Sequence, residues 1–113
     1  MGIDLQLHKD RPHWPTRRSK REPTLIRASH EHAEALAELL ARLPAPASGR
    51  LGTVDPYDDT VFNEQVAEAA LAEIPGLLTH CTGPAHTAAA HDLATFLTAC
   101  ATTPGSHLVF VGD

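Results

Sequence analysis

A chain of 113 residues with a formal net charge of −5 fits one domain around one modest core. No apolar run approaches the roughly 18 residues that a membrane-spanning helix needs, so no membrane partner is expected. Two cysteines, neither in a CxxC pair, exclude a disulfide framework and read as structural thiols. The charge is unevenly spread. Residues 1–27 hold seven Lys/Arg and three Asp/Glu, a local +4, whereas residues 28–113 hold two Lys/Arg and eleven Asp/Glu, a local −9. An acidic body with one basic segment repels nucleic acid and attracts a basic partner.

The chain opens on "MGIDLQLHKD", which lacks an apolar leader core and points to a cytoplasmic protein. Ile3, Leu5 and Leu7 alternate with Asp4, Gln6 and His8, the period of a half-buried strand. The Pro-rich basic stretch "KDRPHWPTRRSKREP", at about 9–23, then reads as a long loop, because its prolines deny a regular helix or central strand. "TLIRA", 24–28, is a short second strand.

A first helix follows. Ser29 is its expected N-cap, Glu31 and Glu34 oppose the positive end, and Leu36, Leu39, Leu40 and Leu43 share one side. Pro44 stops it, and "PAPASGRLG" is a turn-rich linker. The spacing of Phe62, Val66, Ala69, Ala70 and Ile74 predicts a second helix from about Asp59 to Ile74, ended by Pro75-Gly76. A third helix is expected from about Pro84, a residue suited to the first helical position, to Ala101, with Leu93, Phe96, Leu97 and Cys100 inward. "HLVFVGD" closes the chain as a strand, apolar on both faces and so interior to the sheet. The fold class that follows is α+β, with three helices on a small sheet formed by the N- and C-terminal strands.

Four places invite chemistry. The eight histidines suggest a metal, but His86 and His91 stand five apart, roughly 140° round a helix, and "HEH" at 30–32 lacks the HExxH spacing. No metal or other cofactor is therefore expected. Arg17, Arg18, Lys20 and Arg21, with Trp14 nearby, suit phosphate and base contacts, against an acidic body behind them. A protein-docking loop is at least as good a reading of them. The paired acids of "TVDPYDDTVFNEQ" suit acid–base work with a histidine, as in a small hydrolase or transferase. They suit a structural reading better: a type I turn over 55–58, Asp58 as N-cap, and Tyr57 and Phe62 as a hydrophobic staple. On that reading Asn63 has no evident duty.

"DPYDDTVFN" in the middle and "FVGD" at the end resemble a group of small, largely uncharacterised bacterial proteins with a D-P-Y-x-D-T-x-F-N core. The matching positions are Asp55, Pro56, Tyr57, Asp59, Thr60, Phe62 and Asn63, then Phe110, Gly112 and Asp113. Where the group carries a glutamine three residues after the asparagine, this chain has Val66. The group is similar in size and acidity to immunity proteins of polymorphic toxin systems. The resemblance implies a non-enzymatic inhibitor that occludes the basic cleft of a cognate toxin or enzyme. Asp55, Tyr57, Asp58, Asp59, Asn63 and Glu64 are the expected partner contacts, with Glu31, Glu34 and Glu38 of the first helix beside them.

Overall fold

The computed structural model describes residues 2–9, 24–44 and 49–112. The basic segment, including Arg17, Arg18, Lys20 and Arg21, lies outside the described residues, as do 45–48 of the linker and Asp113. The architecture is α+β, as expected. A four-stranded antiparallel sheet has the order β2-β1-β4-β3, with β1 Ile3–Lys9, β2 Thr24–Ser29, β3 Thr60–Asn63 and β4 Ser106–Gly112. The two terminal strands pair at its centre along their whole length, from Ile3 opposite Gly112 to Lys9 opposite Ser106.

Strand period two sorts the side chains. Ile3, Leu5, Leu7, Leu108 and Phe110 are buried on one face, joined by Phe62 of β3. Against that face pack α1 Ala33–Ala41, α2 Glu64–Leu71 and α4 Pro84–Thr102, with the short α3 Ile74–Leu78 lying on α4. The central element is α4. Leu93, Phe96, Leu97 and Cys100 are buried along it, and it contacts all three other helices and both central strands. The opposite sheet face is more open. There His8 and His107, direct partners across β1 and β4, stack at 5.4 Å with their planes 12° apart. Burial, then the neighbouring His107, lowers the pKa of His8.

Three sequence expectations are corrected. Ser29 does not cap the first helix. It ends β2 and donates its hydroxyl to Asp92 Oδ2 at 2.6 Å, tying an edge strand to α4, while His32 occupies the N-cap position without a side-chain bond. The second helix does not begin near Asp59. Thr60–Asn63 pair as a strand with β4, which sets Phe62 edge-on to Phe110 at 4.7 Å. This aromatic contact and four residues of ladder outweigh the local helix signals. The true cap of α2 is Asn63, whose Oδ1 accepts the Val66 N–H at 2.8 Å. Of the expected stripe, Phe62, Ala70 and Ile74 are buried and Val66 packs on the core, but Ala69 is exposed and Ala67 is buried in its place. Thirdly, Pro75-Gly76 do not end a helix; both lie inside α3, where proline is tolerated near the start. The helices thus number four among the described residues.

The Asn63 cap gives a clean test. Asn63→Ala is expected to cost about 1 kcal/mol and Asn63→Asp much less, read as the shift in urea midpoint at constant slope.

Candidate functional site: an acidic groove beside an exposed tyrosine

The turn 55–59 is built by its own carboxylates. Asp55 Oδ1 accepts the Tyr57 N–H at 2.8 Å, and Asp58 Oδ1 accepts the Asp59 N–H at 2.8 Å. The Asp55 N–H donates to Thr60 Oγ1 at 3.1 Å, which anchors the turn to the start of β3. Asp side chains commonly hold turns in this way. Asp55 and Asp58 each spend one oxygen on backbone, and Asp55, Asp58 and Asp59 are exposed. Solvated carboxylates of this kind offer counter-charge more readily than proton transfer.

The turn rests directly on β4. A Cβ built at Gly112 would stand 2.5 Å from Asp58 O, 2.7 Å from Asp58 N and 2.8 Å from Asp55 O. Only glycine leaves room for this approach. The "DPYDD" turn and Gly112 of the second pattern therefore meet in space. The glycine lets the turn lie against the strand end, and the turn lifts Tyr57 to 66 % exposure.

Tyr57 and Pro56 form one wall of an open groove of about 410 Å³, and Glu34, Ala37, Glu38 and Ala41 of α1 form the other. The helical period places Glu34 and Glu38, four apart, on the same side. Among the described residues no lysine or arginine lines this groove. Among the described residues neither glutamate has a Lys or Arg ion pair; the only ion-pair distance to either is His86 Nε2 to Glu38 Oε2 at 3.1 Å.

Sequence reasoning weighed that histidine only as a metal ligand with His91 and missed its bond to Glu38. His86 sits in the first turn of α4, with its side chain 7 % exposed. The Thr82 N–H can only donate, and it faces His86 Nδ1 at 3.3 Å. The proton therefore resides on Nε2 and is donated to Glu38. The result is a hydrogen bond that ties the groove carboxylate to the core helix. The available signal was helical spacing: His86, Ala89, Ala90, Leu93 and Phe96 form one inward stripe.

The structure divides the predicted contacts. Asp55, Tyr57, Asp58 and Asp59 share the turn. Asn63 and Glu64 instead border a separate depression of about 290 Å³ with Gln65, and both have structural duties. Asn63 caps α2, and Glu64 Oε1 accepts the Gly105 N–H at 2.8 Å, where Gly105 turns the chain at φ 78°. Glu34 and Glu38 join the groove, whereas Glu31 precedes α1 and does not line it. Apart from the stacked His8 and His107, the histidines go to separate places: His30 Nδ1 meets Asp4 at 3.1 Å and His91 is exposed. No group of three His, Cys, Asp or Glu suited to a metal occurs among the described residues. Burial raises the Cys100 thiol pKa, which keeps it protonated and inert. Among the described residues no helix is long and apolar enough to cross a membrane.

The fold and groove together define an α+β domain with an acidic, tyrosine-bearing rim. No family model matches the chain, and comparison with curated proteins and solved structures gives no significant match.

Proposed function

We propose that this chain is an acidic protein-binding module, an immunity-type inhibitor that acts by covering a basic cleft of a cognate bacterial toxin or enzyme in the cytoplasm. The observation that carries this reading is the exposure of Tyr57 between two banks of carboxylates, Asp55, Asp58 and Asp59 on its own turn and Glu34 and Glu38 across the groove. Tyrosine is among the residues most enriched at binding hot spots, because it buries a large rigid surface at low entropic cost. The surrounding charge steers a basic partner and speeds its encounter. The −9 balance of residues 28–113 extends that field over the body.

Co-expression with the products of the flanking genes, followed by affinity capture, tests the proposal. A basic partner is expected to co-purify in fixed stoichiometry, with an association rate that falls as salt rises. Capture of nothing at either low or moderate salt contradicts it.

A further inference from the structure

We infer that the groove between α1 and the 55–58 turn takes a single arginine side chain of the partner; this rests on the protein-binding reading above. The groove has the three parts that a guanidinium uses. Tyr57 supplies a flat ring exposed at 66 %, for stacking. Glu34 and Glu38 supply carboxylates on the facing wall, for forked N–H contacts. Ala37, Ala41 and Pro56 supply short apolar surface for the methylene stem.

Among the described residues no Lys or Arg compensates the charge of the groove. Like charges four apart on a helix repel, and no cation among the groove residues relieves Glu34 and Glu38. Arg42 lies one turn beyond Glu38 on the same helix side but forms no ion pair with it. His86 adds order to this arrangement. By donating to Glu38 Oε2 from a buried, fixed ring, it holds the carboxylate in place and leaves Oε1 for a ligand. A held acceptor loses less entropy on binding. Arginine is the better occupant than lysine, because its flat, weakly hydrated head stacks on the ring while its edge reaches the carboxylates. A lysine ammonium satisfies only the charge.

The test uses short glycine-flanked peptides with one arginine, lysine or citrulline, titrated into the full chain and followed by amide shifts in two-dimensional NMR. The arginine peptide is expected to move Ala37, Glu38, Ala41 and Tyr57 selectively. Lysine should bind about five- to tenfold more weakly, and citrulline should not bind measurably. Tyr57→Phe should keep the selectivity, and Tyr57→Leu should erase the arginine preference. Tyr57 is exposed, so neither change threatens the fold. Equal binding of lysine and arginine, or shifts spread evenly over Asp55, Asp59 and Glu68, overturns the inference. If the arginine peptide fails while a basic protein is still captured through this face, the groove assignment falls and the broader reading stands. If the peptide binds but no protein partner is found, the broader reading falls alone.

Discussion

Phe110→Ala is expected to cost about 3–5 kcal/mol, the range for removing a buried aromatic ring. Phe110 is fully buried at the middle of β4, a central strand, where it lies opposite Leu5 of β1 and Thr60 of β3. Its ring meets Phe62 edge-on at 4.7 Å. The loss therefore combines transfer of the ring from the core, the cavity left behind and the aromatic pair, which by itself contributes about 0.5–1.5 kcal/mol. A domain of this size holds only about 5–15 kcal/mol in total, so the variant is left close to unfolding. Equilibrium urea denaturation followed by far-UV circular dichroism measures the change. Val61→Thr, on the exposed side of the neighbouring strand at 59 % exposure, is the control and should fall within about 0.5 kcal/mol of the parent.

Gly112→Ala is expected to destabilise by about 1–3 kcal/mol and also to displace the Tyr57 turn. The backbone at Gly112 is not in the left-handed region, where among the described residues only Gly49 and Gly105 are found, so conformational strain is not the cause. The cause is space. The three atoms a methyl group would meet, at 2.5 to 2.8 Å, all belong to the backbone of Asp55 and Asp58, and backbone cannot swing aside as a flexible side chain can. The turn must move, and Tyr57 moves with it. Gly76→Ala provides the contrast: nothing lies within 4 Å of a Cβ there, and the position is inside α3. Alanine there should be neutral or stabilising by up to about 1 kcal/mol. Thermal denaturation ranks the pair, and the NMR shifts of Tyr57 and its neighbours show whether the turn has moved.

How much of this was legible in the sequence depended on the range of the interactions. The terminal strands and α4 follow from periodicity alone, because one side of each is continuously apolar over many residues. The four-residue β3 was hidden. Its signal is short, and the Asp-Pro-Tyr-Asp turn and its apparent staple mimic a helix start. What decides the matter is the pairing of Phe62 with Leu108 in β4, which no local window contains. The same misreading left Asn63 without a duty, although it is the cap. Glu73 illustrates the limit from another side. It stands off the apolar stripe in sequence, yet its two oxygens accept the N–H groups of Arg50 and Leu51 at 2.8 and 3.1 Å and secure the short 3-10 turn Leu51–Thr53.

The candidate site was legible by half. The turn acids and Tyr57 stood out as a dense polar cluster, and the helix acids Glu34 and Glu38 were already candidate contacts. That these two groups face each other over one groove is tertiary information. The bond from His86 to Glu38, across 48 residues of sequence, has no local trace beyond a histidine on an inward stripe. The joining of "DPYDD" to "FVGD" through Gly112 was likewise present as two separate patterns. The close backbone approach explains why they belong together.

The central claim is that the Tyr57 rim is the surface by which this protein holds a basic partner. The most direct measurement is capture of the flanking-gene product by the wild-type chain beside a Glu34→Lys/Glu38→Lys/Tyr57→Ser variant whose circular dichroism matches the parent. The account predicts a stoichiometric complex for the wild type, weakened by salt, and none for the variant. A complex that survives all three substitutions at moderate salt would contradict it.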